Sequence, residues 1–297
     1  MTILRVDFSS KIGLGHLKRI ISFSEKCKVK NEKFIIICKE CIESLSPYPI
    51  IKIKSEEEFF EKVKELKPKE IIVDNYNFTY ENEKQFKTLF PNIKLICFDD
   101  LYLPHYCDEI INHNLYAKKE KYKNLPSFTQ VKIIKPLIRK EFKIAKKKRY
   151  KKEGIFLSLG GSDAKGLTLQ ILKILKTLKI KVNLYTTSAN KNLEKLKKFA
   201  FLNKWVKLHI DEDVAIGMAK SKFGIITPSV ISYEAIYMNL PFLAIEVADN
   251  QKLNSKYLKS KRYIILNDKE IHKIPFTIKK VFNKNADYIN KVKDSNG

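Results

Sequence analysis

Two glycine-containing segments and one histidine stand out in this chain as residues whose types and spacing could support chemistry. The first segment, Gly13-Leu14-Gly15, follows the apolar run 3–8 and is followed directly by His16. The second segment, Gly160-Gly161-Ser162, follows the apolar run 155–157. Glycine lets a backbone approach a ligand closely, and the N-terminus of a helix attracts anions. We therefore predict two strand-to-helix junctions that bind a phosphate-bearing substrate, with His16 as the candidate for chemistry.

Arginine is scarce, which draws attention to the few positions that carry it. The chain has 58 lysine and arginine residues, of which five are arginine. Arg19 lies one turn after His16, and Arg139 precedes a strongly basic segment in the middle of the chain. Either guanidinium could bind a phosphate or a carboxylate through two parallel hydrogen bonds, or could belong to a surface ion pair. The sequence leaves both alternatives open.

The net charge of +25 does not by itself indicate a nucleic-acid-binding protein. Sequence-reading proteins depend on the planar arginine fork, whereas the basic residues here are mostly lysines spread over the whole chain. We therefore predict no nucleic-acid partner, although a positive surface favours encounter with an anionic substrate. The apolar runs are shorter than the ~18 residues of a membrane span, and the N-terminus lacks the apolar segment of a signal peptide. We expect a cytoplasmic, monomeric protein with no membrane partner.

The five cysteines favour neither disulfides nor a metal site. An odd number of cysteines without a secretory signal argues against disulfides. Cys38 and Cys41 have the spacing of metal ligands, and their only potential complement is Cys97 and Cys107 with His105 nearby. Because a second Cys-x-x-Cys pair is lacking, we predict no metal ligands and interpret Cys38 and Cys97 as small hydrophobic residues that end buried strands.

Short apolar runs alternate with helical patterns in both halves of the chain. In the first half, strands are predicted at 3–8, 34–38, 50–53, 71–74, 95–98 and 109–112, with helices at 16–28, 55–66 and 79–90. In the second half, strands are predicted at 154–159, 181–186, 205–209, 222–226, 241–245 and 263–266, with helices at 163–178, 190–202, 212–220, 229–238, 249–260 and 275–293. Uninterrupted apolar strands of this kind are typical of parallel sheets covered on both faces.

The alternation predicts an α/β protein with two Rossmann-like, doubly wound domains that face one another across a cleft. The first domain is predicted at 1–140 and the second at 154–297, with a basic linker at 141–153. The first junction lacks the third glycine of a dinucleotide-binding motif, and Cys38-Lys39 stands where an acidic ribose ligand would follow the second strand. We therefore predict no nicotinamide cofactor.

Eight short motifs occur in order along residues 1 to about 260. They are residues 7–19, Asp74-Asn75-Tyr76, Phe98-Asp99-Asp100, residues 112–117, 137–142, 159–163 and 229–235, and Asn250-Gln251. Together they resemble the UDP-sugar hydrolases of the pseudaminic acid pathway, which belong to the GT-B group of UDP-sugar enzymes. The sequence departs from that family's pattern at 258–263, where a glycine is usual.

The resemblance implies hydrolysis of UDP-2,4-diacetamido-2,4,6-trideoxy-beta-L-altropyranose to UDP and the free sugar, with inversion and without a metal or organic cofactor. It implies His16 as the general base that activates water, a role suited to a neutral imidazole near pH 7. The N–H groups around 160–163 would stabilise the departing phosphate, and Glu234 would bind the ribose hydroxyls. The residues implied to bind the nucleotide-sugar are Gly13, Gly15, Arg19, Tyr76, Asn114, Arg139, Gly160, Gly161, Ser162, Ser229, Glu234 and Asn250.

Two other functions compete with this interpretation. A GT-B glycosyltransferase would bind UDP through similar motifs and pass the sugar to an acceptor, so UDP release without an acceptor separates the two. A polyanion-binding protein without activity would bind nucleic acid in a steeply salt-dependent way and would not be stabilised by UDP. For Asp99 and Asp100 the sequence leaves two roles open, orienting His16 or binding sugar hydroxyls. Asp163 is interpreted as a helix cap.

Overall fold

A computed structural model describes residues 1–9, 12–27, 32–163 and 165–283 of the chain. Internal contacts divide the chain into two compact units, Met1–Leu137 and Ile138–Gly297. Each unit holds one sheet, and all the strand pairings within the two sheets are parallel. Parallel neighbours need crossover connections, and α-helices supply most of these between successive strands.

The first unit contains a seven-stranded sheet in the order β3-β2-β1-β4-β5-β6-β7. Its strands are β1 (Thr2–Val6), β2 (Phe34–Cys38), β3 (Ile50–Lys52), β4 (Glu70–Asp74), β5 (Lys94–Phe98), β6 (Glu109–Asn112) and β7 (Gln130–Ile133). Its helices are α1 (Gly15–Cys27), α2 (Glu56–Leu66) and α3 (Tyr80–Leu89). Successive strand residues point to opposite faces, so Ile3 and Ile37 join one core and Leu4 and Ile36 the other. Both faces are therefore buried, which explains the uninterrupted apolar runs.

The second unit contains a six-stranded sheet in the order β10-β9-β8-β11-β12-β13. Its strands are β8 (Ile155–Leu157), β9 (Val182–Thr186), β10 (Val206–Ile210), β11 (Phe223–Ile226), β12 (Phe242–Glu246) and β13 (Ile264–Asn267). Its helices are α4 (Lys140–Lys146), α5 (Leu167–Leu175), α6 (Leu193–Leu202), α7 (Val214–Ala219), α8 (Val230–Tyr237), α9 (Lys252–Ser260) and α10 (Ile274–Asn283). Ile155 and Leu157 enter one core and Phe156 the other, so this sheet is also covered on both faces.

The predicted class, α/β with two doubly wound parallel sheets, is confirmed. Among the described residues, one strand and one α-helix lie outside the predicted set. The first is β7, an edge strand whose residues are largely exposed. The second is α4, which falls largely within the segment predicted as a basic linker. Its Phe142 and Ala145 are buried in the second unit's core, because three residues along a helix return a side chain to the same face.

The C-terminal helix begins one residue before its predicted start at 275, and the predicted residues 284–293 lie outside the described part of the chain. Within the residues that the structure describes, none of the helices combines the length and the apolar character needed to cross a membrane.

Candidate active site

The switch point of the first sheet lies between β1 and β4, where the direction of strand addition reverses. Open α/β sheets bind ligands outside the carboxyl ends of their strands at such a point. The chain leaving β1 passes Gly13 and enters α1, whose second residue is His16. Strand β4 ends at Asp74. The sequence-predicted histidine and the end of β4 thus meet where this fold places ligands.

His16 and Asp74 form a hydrogen-bonded pair. The Nδ1 atom of His16 lies 2.6 Å from Asp74 Oδ1, and the two side chains are 12% and 1% exposed. A carboxylate oxygen only accepts, so the contact with Asp74 requires the hydrogen on Nδ1. Arg19 Nη2 also lies 3.0 Å from Nδ1, but with this tautomer it donates to the closer Asp74 Oδ1 instead. In a neutral ring, Nε2 then keeps its lone pair. The pair therefore presents an oriented imidazole whose second nitrogen is able to accept a proton.

Arg19 places its buried guanidinium against two carboxylates of the same unit. Its Nε donates to Asp74 Oδ2 at 2.7 Å, its Nη2 to Asp74 Oδ1 at 2.5 Å and its Nη1 to Asp100 Oδ2 at 2.8 Å. Burial alone would raise the pKa of Asp74, but the charge of Arg19 and the hydrogen bonds from Arg19 and His16 outweigh it and hold that pKa well below its usual range. The guanidinium predicted to bind substrate is thus occupied in keeping Asp74 ionised and in place.

Tyr76 and Asp100 extend this network. Tyr76 Oη donates to Asp100 Oδ1 at 2.7 Å, and the Tyr76 ring packs edge to face against the His16 ring with centroids 4.7 Å apart. The neighbouring Asp99 instead accepts from Tyr122 Oη at 2.7 Å and from backbone N–H groups of its own loop. Asp100 therefore belongs to the site, whereas Asp99 shapes the connection after β5.

The two glycines before His16 have different backbone requirements. Gly13 has a φ of +90°, a left-handed conformation that a residue with a side chain adopts at a cost. Gly15 begins α1, and a Cβ built on it would meet nothing within 4 Å. The backbone conformation of the turn thus explains the glycine at position 13. The open space at the Cβ position of Gly15 leaves room for a ligand.

Asn114, the remaining predicted ligand in the first unit, lies just after β6. Its side-chain amide donates to Asn112 Oδ1 at 2.8 Å, and the residue is 9% exposed. The structure therefore places Asn114 at the carboxyl edge of the same sheet as Asp74, with part of its side chain committed to its neighbour.

The second sheet has its switch point between β8 and β11. After β8 the chain turns at Gly160, whose φ is +89°. The carbonyl of Gly161 then accepts from the hydroxyls of Thr186 and Thr187 at 3.2 and 3.0 Å, which ties this loop to the end of β9. The second glycine pair thus lies at the same topological position as the first.

The helix after this loop begins later than predicted. The sequence predicts a helix from 163, but α5 starts at Leu167 because Asp163 and Gly166 have left-handed φ values of 43° and 66°. The Asp163 carboxylate accepts from the N–H groups of Leu167 and Thr168, both at 3.1 Å, so it caps the helix as expected. Gly160, Gly161 and Ser162 therefore belong to the loop ahead of the helix and not to its first turn.

Helix α8 follows β11, and two predicted ligands lie at its start and within it. Ser229 precedes its first turn, with Oγ 2.9 Å from Thr227 Oγ1. Glu234, only 1% exposed, accepts from Arg139 Nε at 2.6 Å and from Arg139 Nη2 at 2.9 Å. Burial alone would lower the pKa of Arg139, but the charge of Glu234 raises it. The residues predicted to bind ribose and phosphate are thus bidentate partners of one another.

Asn250, the last predicted ligand, is exposed on a 3-10 turn, Asp249–Gln251, just ahead of α9. In the described part of the chain, the one group of ligand atoms close enough to hold a metal ion consists of Glu83, Cys97, His105 and Cys107, and it does not include His16.

Asp74 is the residue whose role the sequence does not reveal. It appears there only as the end of a strand and the start of a short motif. Its position at the carboxyl end of a buried strand could have marked Asp74 as a site residue. Its contact with His16 could not be predicted, because that contact depends on β4 lying next to β1.

Comparison with known proteins identifies relatives of this chain. The chain is 36% identical over 268 residues to the UDP-2,4-diacetamido-2,4,6-trideoxy-beta-L-altropyranose hydrolase of Campylobacter jejuni, a match that covers 88% of this chain and 97% of the relative. It is 25% identical over 270 residues to an uncharacterized protein of Methanocaldococcus jannaschii, covering 80% of this chain and 54% of that protein. No protein-family model matches the chain.

Solved structures of similar fold come from glycosyltransferase-type proteins. Os79 from O. sativa, solved in complex with UDP, has a TM-score of 0.69 at 10% identity, covering 99% of this chain and 94% of its own. MurG of Acinetobacter baumannii has a TM-score of 0.59 at 12% identity, covering 93% of this chain and 90% of its own. At such identities the likeness concerns the fold alone, and it confirms the GT-B class expected from the sequence.

Proposed function

This chain belongs to the family of UDP-2,4-diacetamido-2,4,6-trideoxy-beta-L-altropyranose hydrolases, and from that premise we propose that it hydrolyses this UDP-sugar to UDP and the free sugar in pseudaminic acid biosynthesis. The observation that carries the proposal is the His16–Asp74 pair at the switch point of the first sheet. A hydrolase needs an oriented base to activate water, and this pair has the geometry of one.

In the proposed step, His16 Nε2 accepts a proton from a water molecule while the water oxygen attacks the anomeric carbon. The bond between that carbon and the glycosidic oxygen breaks, and UDP departs with both electrons of the bond. A single displacement of this kind inverts the anomeric configuration. Asp74 stabilises the imidazolium that forms, and Arg19 keeps Asp74 ionised.

The second unit is proposed to bind UDP. Glu234 would accept hydrogen bonds from the ribose hydroxyls, and Arg139 would hold that carboxylate in place through its two N–H donors. The N–H groups of 160–162 and the Ser162 and Ser229 hydroxyls would donate to the pyrophosphate as its negative charge increases. Tyr76, Asn114 and Asn250 are proposed to contact the sugar.

Direct assay of the nucleotide-sugar tests this proposal. The purified chain is incubated with the UDP-sugar and no acceptor, and UDP and the anomer of the released sugar are followed by NMR. We expect UDP and sugar in equal amounts, the inverted anomer first, and the same rate in EDTA. UDP release that requires an added acceptor would instead identify a glycosyltransferase.

A histidine pair separates the catalytic role from a structural one. His16→Ala is expected to lose nearly all turnover while UDP still raises its melting temperature, since UDP is assigned to the second unit. His272→Ala, a change at an exposed histidine, is expected to retain activity. Turnover by His16→Ala within a few-fold of the parent chain would contradict the assignment.

A further inference from the structure

Two thiols, an imidazole and a carboxylate that the proposed reaction does not use converge in the core of the first unit. Glu83 comes from α3, Cys97 from β5, and His105 and Cys107 from the connection between β5 and β6. Each offers one ligand atom, and these atoms all lie within 4.8 Å of one another. His105 is the most exposed of the four, at 7%. The ligand atoms therefore meet in a nearly dry interior.

The ligand atoms, all within 4.8 Å of one another, are close enough for a four-coordinate zinc ion after shifts of up to about 1 Å. Zinc bonds of about 2.0–2.3 Å imply about 3.3–3.8 Å between the ligand atoms of a tetrahedron. Glu83 Oε1 and His105 Nδ1 are 2.8 Å apart, so they would separate by roughly half an ångström to bind the ion. Mixed sulfur, nitrogen and oxygen donors match the borderline-soft character of zinc.

Two surrounding contacts would orient Glu83 and His105 as metal ligands, whereas the Cys107 thiol donates to the Glu109 carbonyl at 3.4 Å, a bond that would be lost when the thiol gives up its hydrogen to bind a metal. The second oxygen of Glu83 accepts from the Tyr106 N–H at 2.5 Å. The far nitrogen of the His105 ring, Nε2, lies 3.7 Å from Asp99 Oδ1. With Nδ1 on the metal, Nε2 would face a carboxylate, and such outer partners commonly fix the ring of a ligating histidine.

We propose that Glu83, Cys97, His105 and Cys107 form a structural zinc site. All four positions of a tetrahedral ion are filled by protein, as in structural sites, so the ion would take no part in the reaction. It would join α3 and β5 to the connection that carries Asp99 and Asp100. Since Asp100 accepts from Arg19 and Tyr76, the ion would stabilise the connection after β5 and, through Asp100, the hydrogen bonds around His16.

The cysteine spacing alone does not reveal this site. The sequence predicts no metal because Cys38-x-x-Cys41 lacks a second such pair. In the structure, Cys38 belongs to the core on the other face of the sheet from Cys97 and Cys107. The fourth ligand is instead Glu83, a helix residue with no cysteine motif near it.

Metal content of the full-length chain tests the proposal. The protein is produced in zinc-supplemented medium, because so buried a site would be filled during folding, and its zinc is measured by mass spectrometry. We expect about one zinc per chain, and at least tenfold less in Cys97→Ser, Cys107→Ser and Glu83→Gln. Production with cobalt should give thiolate-to-cobalt charge-transfer absorption, which needs no variant to interpret.

Cys41→Ser is the matched control, since it removes a cysteine with metal-like spacing outside the proposed site, and we expect it to keep its zinc. Parent protein with less than about a tenth of an equivalent of zinc and no thiolate–cobalt band would overturn the proposal. So would zinc that survives in both Cys97→Ser and Cys107→Ser, or zinc that is lost in Cys41→Ser. These readouts do not depend on catalytic activity, so failure of the proposed hydrolysis leaves them unaffected.

Discussion

The strongest prediction from the site concerns Asp74, whose substitution should slow turnover without preventing UDP binding. Asp74→Asn keeps the size of the side chain and removes its charge. In the parent chain Asp74 Oδ1 lies 2.6 Å from His16 Nδ1, and the carboxylate is 1% exposed. The imidazolium that forms during the reaction therefore loses a charged partner that water does not replace.

The expected loss follows from that one interaction. A hydrogen bond to a charged group contributes about 1.5–3 kcal/mol. At about 1.36 kcal/mol for each factor of ten in rate, kcat should fall by roughly 10- to 150-fold. An asparagine that turns its N–H toward Nδ1 would also favour the wrong tautomer of His16 and increase the loss. Arg19 loses one of its two carboxylate partners, so the melting temperature should fall as well.

The assay is acceptor-free UDP release, with kcat and KM determined separately, together with the thermal shift that UDP produces. We expect kcat to fall while the UDP-induced shift persists. Asp268→Asn is the matched control, because Asp268 belongs to an exposed pair with Lys165, and it should behave as the parent chain. A folded Asp74→Asn protein with kcat reduced less than about threefold would refute this account of the base.

Three further predictions concern other parts of the molecule. Glu234→Gln should weaken UDP binding by about tenfold by calorimetry, since it removes the charge proposed to bind the ribose. Glu141→Gln, which removes the other carboxylate near the same arginine, should leave UDP affinity unchanged. Gly15→Ala should keep the melting temperature, because its Cβ meets no protein atom, yet should lower kcat/KM if substrate lies against that backbone. Burial lowers the pKa of His113 to about 3 in the folded chain. In the unfolded chain this pKa is about 6.5, so the unfolded chain binds one more proton below that pH. The free energy of unfolding should therefore fall by roughly 2 kcal/mol as the pH is lowered from 6.5 to 5. His113→Asn, which keeps an acceptor for the Leu137 N–H, should remove that dependence in pH-dependent denaturant unfolding, and an unchanged dependence would contradict it.

Most of the fold could be predicted from the sequence because its strands are buried on both faces. Such strands form apolar runs with little ambiguity, and β2 and β6 have the predicted limits. The edge strand β7 is different, because it pairs on one side only and needs no apolar run. Helix α4 lies within a lysine-rich segment in which the two buried side chains are too few to give a clear pattern.

For the candidate site, the sequence indicates individual residues and does not reveal the contacts between them. His16 follows from its place after a strand and a glycine turn. The partnership of His16 with Asp74, and that of Glu234 with Arg139, join positions 58 and 95 residues apart. Strand order and helix packing decide such pairs, and no local spacing encodes them. For the same reason, the spacing of the cysteines does not predict Glu83 as a fourth metal ligand.

In the part of the chain that the structure describes, the contacts around His16 are made by residues of the first unit. Asp74 and Tyr76 contact the ring, and Arg19 and Asp100 hold those two side chains in place. Folding of this unit therefore orients the proposed base. Substitutions in the second unit should change the affinity for UDP and leave the orientation of the His16 ring unchanged.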